Sequence, residues 1–160
     1  MKNKVYLSIG SNIYPRIVYI HQAIAAIEKY IGKIISKSSI HQTIPWNMPE
    51  NTPFFYNLCL ITETQLSPDD ILDKIIFIEK QLGRIKKTNS DQIYQSRTID
   101  IDILLFNDEI IDKTNLKIPH IHLHERLFVL LPLSEIADEL EHPVLKKKIK
   151  ELLYDQLLVR

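Results

Sequence analysis

Two aspartates, Asp100 and Asp102, stand two positions apart in a run of alternating apolar and polar residues. Side chains at positions i and i+2 of a strand project from the same face, about 7 Å apart, so this pattern places both carboxylates on one side of a sheet. Like charges at that separation repel each other unless a cation lies between them, and Mg²⁺ is the usual hard cation for carboxylate oxygens. The spacing therefore indicates a metal site, and a solvated strand face is the alternative.

Basic residues are concentrated near these carboxylates. Arg97 stands near the same end of the predicted strand. A segment without helical or strand periodicity, residues 84–96, returns to that strand and begins with Arg84, Lys86 and Lys87. Cations beside carboxylates are what a metal-bound polyphosphate requires, although a basic loop can also simply be solvated. Long loops within compact domains often close over binding sites, which favours the functional interpretation.

Aromatic residues and one amide could bind a flat heterocycle. The aromatic candidates, which could equally fill a core, are Trp46, Phe54, Phe55, Tyr56 and Phe128. Asn57 stands at the head of an otherwise apolar strand. A buried amide needs hydrogen-bond partners, and the donor and acceptor edge of a heterocycle would supply them.

Three histidines, His120, His122 and His124, alternate along the chain. On an extended backbone they would share a face and mimic a zinc site. No cysteine or second histidine pair completes a four-ligand set, so contact between one histidine and a phosphate is the simpler interpretation.

Composition narrows the class of protein. The 160 residues are 45% hydrophobic, which favours a single domain, residues 1–160, around one core. The three glycines, Gly10, Gly32 and Gly83, are too widely spaced for a glycine-rich phosphate loop or a dinucleotide fingerprint. A nucleotide would therefore have to be held by cationic side chains and a metal.

Charge and apolar runs exclude other classes. The 20 basic and 20 acidic residues balance, which argues against a general nucleic-acid binder. The first apolar run stops at Gly10, too short for a signal peptide, and no run approaches the roughly 18 residues of a membrane span. We therefore expect a cytoplasmic protein without a membrane segment. Cys59 lies between two leucines, which predicts a buried, unreactive thiol.

Local patterns predict the elements that position these residues. The predicted strands are residues 4–9, 34–40, 55–64 and 97–106. Isoleucines at positions 17, 20, 24, 27 and 31 predict a helix with a buried stripe, capped by Gly32. Ser67 caps a second helix that ends near Gly83, and a last helix lies around residues 146–153. Residues 41–53 are predicted to form a loop.

The chain after the aspartates adds a hairpin to this pattern. Residues 107–108 are a turn candidate that leads back into residues 109–111, and an apolar run covers residues 127–133. The order of elements matches a split βαβ arrangement. The predicted fold is α+β, a ferredoxin-like βαββαβ sandwich with an antiparallel sheet, an added hairpin and C-terminal helices.

Seven short motifs along nearly the whole chain resemble one enzyme family. They are Ile9-Gly10-Ser11-Asn12, Thr43-x-Pro45, Phe55-x-Asn57, Glu79-x-x-x-Gly83-Arg84, Arg97-Thr98-Ile99-Asp100-Ile101-Asp102, Pro119-His120 and Arg126-x-Phe128-x-x-x-Pro132-Leu133. The chain resembles the 6-hydroxymethyl-7,8-dihydropterin pyrophosphokinases of folate biosynthesis. The Arg-x-x-Asp-x-Asp element is the specific one, and the others follow in the family's order.

The resemblance implies an activity and a set of site residues. It implies transfer of pyrophosphate from ATP to the pterin alcohol, with release of AMP. Separately from the resemblance, we expect a monomer that binds neither nucleic acid nor membrane. Two Mg²⁺ ions would be held by Asp100 and Asp102, with Arg84 and Arg97 completing the catalytic set. The implied ATP-binding residues are Glu79, Arg84, Lys87, Arg97, Ile99, His120 and Arg126. The implied pterin-binding residues are Thr43, Pro45, Trp46, Phe55, Asn57 and Phe128.

Four positions depart from the family's pattern. Ile93 and Gln95 stand where a basic residue and a glycine are common, Asn47 replaces a glycine, and Ile121 replaces an aromatic residue. Two other functions therefore stay open at this point. One is a ferredoxin-like binding module without catalytic activity, and the other is a metal-dependent phosphohydrolase using the same carboxylates.

Overall fold

The structure of the chain, a computed structural model, describes residues 2–84 and 96–159. The strands are β1 (Asn3–Ser11), β2 (Lys33–Lys37), β3 (His41–Thr43), β4 (Phe55–Thr64), β5 (Asp100–Phe106), β6 (Ile111–Asp112) and β7 (Lys117–Ile118). The helices are α1 (Arg16–Tyr30), α2 (Pro68–Gln81), α3 (Leu127–Ala137) and α4 (Ile149–Leu158), with a 3-10 turn at Leu123–Glu125.

The main sheet has the strand order of a split βαβ sandwich. Its order is β2-β4-β1-β5, with β3 also paired to β4, and the pairings are antiparallel. Helix α1 connects β1 to β2, and α2 connects β4 to β5, so each crossover leaves one strand between the strands it joins. This arrangement confirms the predicted α+β, ferredoxin-like fold.

Apolar side chains cover both faces of this sheet. On one face, alternate residues of β1 such as Leu7 pack with Ile20 of α1 and Ile75 of α2. On the other face, Tyr6 packs with Leu130 of α3 and Leu152 of α4. Val5, Leu7 and Ile9 alternate with Tyr6 and Ser8, a pattern that predicts a half-buried strand. The structure corrects this prediction, because α3 and α4 cover the Tyr6 face and both faces of β1 are buried.

Several local predictions agree with the structure. Strand β4 has the predicted bounds, and Ser67 caps α2 by accepting a hydrogen bond from the Asp70 backbone N–H at 3.2 Å. The apolar stripe of α1 is buried at Ile20 and Ile27, but Ile17 is 40% exposed because it lies in the first turn, at the rim of the core.

Gly32 does not cap α1 in the predicted way. It lacks a positive φ, and a Cβ at this position would collide with the backbone carbonyl of Glu63 in β4. Its small size therefore serves the close approach of the chain to the sheet rather than a left-handed turn.

Other predicted elements are corrected by tertiary pairing. The turn after β5 does not form a hairpin with β5, because the Asn107 N–H donates to the Lys4 carbonyl and the following chain pairs as β6 with β7. The predicted loop of residues 41–53 contains β3. Strand β2 ends at Lys37, three residues earlier than predicted, and α4 begins at Ile149, after a left-handed Lys146.

The histidine-rich segment is a turn followed by the 3-10 helix, not an extended strand. His122 therefore lies near Trp46, while the His124 ring packs edge-on against His142 at 6.5 Å. The three histidines do not share a face.

Cys59 is fully buried, and desolvation raises the pKa of its thiol, which agrees with the predicted inert side chain. None of the helices in the described part of the chain is long and apolar enough to cross a membrane.

Candidate active site

The two aspartates lie on one face of β5 at its N-terminal end. Ile101 and Ile103 alternate with them and are buried on the opposite face, in the core with α1 and α2. The carboxylates of Asp100 and Asp102 remain about a quarter exposed. The geometry that the spacing predicts is therefore present, and both carboxylates are accessible to a ligand.

Asp100 is paired with two arginines. Its Oδ1 lies 3.0 Å from Arg84 Nη1 and 3.2 Å from Arg97 Nη1. The Arg97 side chain is 7% exposed, so it is held within the site rather than in solvent. Two guanidinium groups converging on one carboxylate leave a surface that attracts further negative charge, such as phosphate oxygens.

Glu79 of α2 holds Arg84 in this position. Its carboxylate accepts hydrogen bonds from the Arg84 guanidinium and from the Ile101 backbone N–H at 2.9 Å. Burial raises the pKa of Glu79 to about 7, against the opposing effect of Arg84. This carboxylate connects α2 to β5 beneath the phosphate-binding candidates.

Asp102 has more distant cationic neighbours. Among the described residues, the Arg126 guanidinium approaches Asp102 Oδ2 with Nη1 at 3.8 Å, and the His120 ring approaches it with Nε2 at 3.9 Å. Desolvation and the adjacent Asp100 carboxylate raise the pKa of Asp102 above its usual range. Two neighbouring carboxylates whose mutual repulsion is only partly offset by nearby basic side chains are suited to bind a divalent cation.

His120 faces Asp102 as a neutral imidazole. Its Nδ1 accepts a hydrogen bond from the His122 backbone N–H at 3.1 Å, so the proton of the neutral ring belongs on Nε2. Burial, assisted by Arg126, lowers the pKa of His120 to about 4. The ring is therefore set as a hydrogen-bond donor toward the Asp102 side of the site.

The donor set fits Mg²⁺ rather than zinc. Mg²⁺ is usually bound by one or two carboxylates together with substrate phosphates and water, which is the set that Asp100 and Asp102 offer. Within residues 2–84 and 96–159, no group of three or more His, Cys, Asp or Glu side chains could hold a metal by itself. A protein-only zinc cage of the kind considered for the histidines is therefore not assembled by this part of the chain.

A first cavity opens on the Asp100 side. It is lined by Thr43, Ile44, Trp46, Met48, Phe55, Asn57, Arg97, Asp100, Arg126 and Phe128. Asn57 is buried and donates from Nδ2 to the Thr43 hydroxyl. Gly10 lies opposite Asn57 in β1, and its lack of a side chain leaves room for the amide.

This first cavity is narrow in the structure. Its volume is about 40 Å³, because the Arg126 guanidinium lies 4.4 Å from the centre of the Trp46 ring and 5.4 Å from that of Phe128. Trp46 also contacts the His122 ring, at 5.1 Å between centroids. The space accommodates a few water molecules, so a bicyclic ligand enters only if Trp46 and Arg126 move apart.

A second cavity, of about 290 Å³, opens on the Asp102 side. Its lining residues are Leu72, Ile75, Ile101, Asp102, Ile103, Thr114, Asn115, Leu116, Lys117, His120 and Ile121. Sequence reasoning identified Asp102 and His120 but not the apolar wall from α2 or the polar residues around β7. The signal in the sequence was Ile121, an apolar residue between two histidines at a position where the family has an aromatic residue. In the structure Ile121 is 58% exposed and lines this cavity.

Most of the predicted site residues are brought together around these cavities. Pro45 lies between Ile44 and Trp46, both of which line the first cavity. Ile99 is fully buried in the core with α1 and α2, so only its backbone is available to a ligand. Lys87 lies outside the described residues, as do Lys86, Ile93 and Gln95. Asn47, which replaces the family's glycine, has a left-handed φ of 52°, a conformation that asparagine tolerates better than most residues.

An antiparallel split βαβ sandwich with paired carboxylates, converging arginines and a cavity on either side fits a phosphotransferase class of enzyme. Residues 6–138 match the family model of 7,8-dihydro-6-hydroxymethylpterin-pyrophosphokinase (HPPK). The chain belongs to this family, whose reaction is the transfer of pyrophosphate to hydroxymethyldihydropterin in folate synthesis.

Curated relatives cover most of the chain. The 2-amino-4-hydroxy-6-hydroxymethyldihydropteridine pyrophosphokinase of Aquifex aeolicus is 40% identical over 92% of this chain and 88% of its own length. The enzyme of the same name from Bacillus subtilis is 38% identical over 88% of this chain and 82% of its own length.

A solved structure supports the same fold. Crystalline Plasmodium falciparum HPPK-DHPS with STZ-DHP matches with a TM-score of 0.80 and 20% identity, over 97% of this chain. This chain spans 43% of that crystallised chain.

Proposed function

We propose that this chain is a Mg²⁺-dependent enzyme that transfers the terminal pyrophosphoryl group of ATP to 6-hydroxymethyl-7,8-dihydropterin. One observation carries the proposal: two cavities open on either side of the carboxylate pair, Asp100 lining one and Asp102 the other. A two-substrate transfer needs such an arrangement, with the reacting phosphate between the two binding sites.

The second cavity suits a nucleoside. Its wall from α2 and β5 is apolar, while Thr114, Asn115 and Lys117 place polar groups at its rim. A purine base can stack against the apolar wall while the polar groups contact its edge or the ribose. The triphosphate then extends toward His120, Arg84 and Arg97, all three of which lie around the carboxylates.

The first cavity suits the pterin ring. Phe55 and Phe128 provide aromatic surface, and the buried amide of Asn57 provides a donor and an acceptor for the ring edge. Binding requires Trp46 and Arg126 to separate, which exposes the space between the aromatic rings. The hydroxymethyl group then points toward Asp100, which lines the same cavity.

The chemistry needs no protein nucleophile. The pterin hydroxymethyl oxygen forms a bond to the β-phosphorus, the bond from that phosphorus to the bridging oxygen of AMP breaks, and the hydroxyl proton is released. Mg²⁺ bound by Asp100, Asp102 and phosphate oxygens would neutralise charge on the transferred group. Arg84 and Arg97 hold the phosphates and stabilise the negative charge that moves onto the leaving AMP.

We extend the proposal to Lys87 as a further ATP contact and to a cytoplasmic monomer. Residues of one chain line both cavities, so the proposed site does not require a second copy. Sedimentation of the purified protein at micromolar concentration tests the monomer, and a stable dimer would contradict it.

The test of the activity is product analysis with purified protein, ATP, Mg²⁺ and the pterin alcohol. We expect AMP and the pterin diphosphate in equal amounts. ADP as the only nucleotide product, or phosphate release without the pterin, would contradict the proposal and favour a kinase or a phosphohydrolase.

Variants connect this activity to the carboxylates. Asp100→Asn and Asp102→Asn should each lower kcat by at least about 10³-fold, because each removes a charged metal ligand, with the fold retained by circular dichroism. Asp155→Asn on α4 is the matched control, since it removes an exposed carboxylate paired with Lys147 at 2.8 Å. Near-normal turnover of either β5 variant would contradict the metal assignment.

A further inference from the structure

Asn12, immediately after β1, is buried and uses its side chain to join two distant segments. Its exposed fraction is 1%. The amide Nδ2 donates to the Pro53 carbonyl at 3.2 Å and to the Ser96 hydroxyl at 3.0 Å. The amide Oδ1 accepts from the Arg97 backbone N–H at 2.8 Å. Both donors and one acceptor site of a single amide are therefore satisfied by residues far apart in sequence.

The backbone strengthens one of these connections. The Asn12 backbone N–H donates to the Arg97 carbonyl at 3.3 Å, so Asn12 and Arg97 are joined through both backbone polar groups of Arg97. Arg97 therefore starts its side chain from a fixed position. That side chain reaches Asp100 at 3.2 Å and lines the first cavity.

The other connection leads to the opposite wall of the same cavity. Pro53 ends the segment that carries Trp46 and Met48, and Phe55 follows two residues later. The next carbonyl, of Phe54, is held at 2.8 Å by Arg16, whose guanidinium stacks 4.2 Å from the Tyr56 ring centre. Asn12 thus fixes the base of the segment that provides the aromatic wall.

We propose that Asn12 is a positioning residue that sets the aromatic wall of the first cavity at a fixed distance from Arg97. It contacts neither substrate in the proposed complex and acts through Pro53, Ser96 and Arg97. The inference rests on the proposed function, in which the aromatic wall binds the pterin and Arg97 binds the phosphates of ATP. Misplacement of reacting groups by about 1 Å costs on the order of 10²-fold in rate, so loss of this link should appear in kcat.

Asn12→Asp is the main variant. It is nearly isosteric and keeps the acceptor for the Arg97 N–H, but it loses both donors and places a carboxylate beside the Pro53 carbonyl. We expect kcat to fall by about 10- to 100-fold. Ser96→Ala removes a single bond of the three without adding charge, and we expect a smaller loss of about threefold to fivefold.

Asn107→Asp is the matched control. Asn107 also joins separate segments through its amide, accepting from the Lys4 N–H at 2.9 Å and donating to Asn3 Oδ1 at 3.0 Å, at the opposite end of β1. The substitution removes the same kind of donor while leaving both cavities unchanged. We expect its kcat to stay within about twofold of wild type, even if its melting temperature falls as far as that of Asn12→Asp.

A spectroscopic measurement separates positioning from general destabilisation. Trp46 is the single tryptophan of the chain and lies in the segment that Asn12 holds. We expect acrylamide to quench Trp46 fluorescence more efficiently in Asn12→Asp than in wild type, with Asn107→Asp unchanged. Equal quenching in all three proteins, or a kcat for Asn12→Asp within about twofold of wild type, would overturn the proposal.

The two hypotheses fail in different ways. If the wild-type protein forms no AMP from ATP and the pterin, the proposed function is wrong, and the fluorescence comparison still decides whether Asn12 holds the segment. If wild type is active and the Asn12 and Asn107 variants have equal activity and equal quenching, only the positioning proposal is wrong.

Discussion

Replacing Gly10 with alanine tests whether the Asn57 amide recognises the pterin. A Cβ at position 10 would lie 2.5 Å from Asn57 Oδ1 and 3.3 Å from Phe55 Cδ1. The first distance is about 1 Å below a normal nonbonded separation, so the amide must move. Its hydrogen bond to the Thr43 hydroxyl is then weakened, at a cost of about 1 kcal/mol.

Displacement of the amide also misaligns it with the ligand edge. The strained bond to Thr43 destabilises the free and the bound protein alike, so the loss of affinity comes from one or two weakened bonds to the pterin. At about 1 kcal/mol each, these amount to about 1–2 kcal/mol, or about 5- to 30-fold weaker pterin binding. ATP affinity should change by less than about threefold, because the second cavity does not include Gly10 or Asn57.

Isothermal titration calorimetry with each substrate separately measures both affinities. Asn57→Ala provides a cycle: once the amide is absent, adding Gly10→Ala should cause little further loss, so the two effects should be strongly non-additive. Unchanged pterin affinity in Gly10→Ala, or additive losses in the double variant, would refute the assignment of Asn57 as the residue that contacts the pterin edge.

Three further predictions concern other parts of the molecule. His142 is buried, and its Nδ1 accepts hydrogen bonds from the backbone N–H groups of Val144 and Leu145. Burial and the nearby His124 lower the pKa of His142. The contribution of the neutral ring to the free energy of unfolding is therefore complete above about pH 6.5 and is lost as the pH falls. Urea unfolding at about pH 7.5 and 5.5 should show this loss, and His142→Asn should reduce the difference in the free energy of unfolding between the two pH values. An unchanged difference would contradict the role given to His142. Cys59 should react with a thiol reagent only in denaturant, because burial raises its thiol pKa, and rapid reaction of the folded protein would show that the strand opens. Ile121→Tyr adds aromatic surface to the second cavity and should tighten ATP binding by about twofold to tenfold in calorimetry without changing pterin affinity, whereas weaker ATP binding would place the nucleotide elsewhere.

The elements that carry the site were predictable where a local rule controls them. The period of two in β5 places Asp100 and Asp102 on one face whatever the strand packs against, because successive side chains of a strand alternate. The bounds of β4 and the Ser67 cap follow from short-range patterns in the same way. Motifs in the family's order then identified most of the residues that line the first cavity.

Predictions from local sequence patterns were wrong where a residue distant in sequence supplies a competing hydrogen bond or contact. The turn after β5 resembles a hairpin turn, but its Asn107 N–H bonds to Lys4 of β1 and the chain pairs β6 with β7 instead. The three histidines alternate along the chain, yet they do not share a face. The His120 and His122 rings lie 6.1 Å apart between centroids, while the 3-10 helix carries His124 to a contact with His142. Gly32 resembles a helix cap, but the nearby carbonyl of Glu63 explains its small size.

The sequence by itself determined which chemistry the chain carries, since the carboxylates, arginines and aromatic residues are present in a recognisable order and the period of a strand aligns the two aspartates. Only the tertiary structure decided how the walls of the site are connected and where the second substrate has room. The cavity between α2, β5 and β7 is formed by residues from four separate stretches of chain, and Asn12 bonds to residues 41 and 84 positions away. Such contacts depend on the packing of whole elements in space, which no local periodicity encodes.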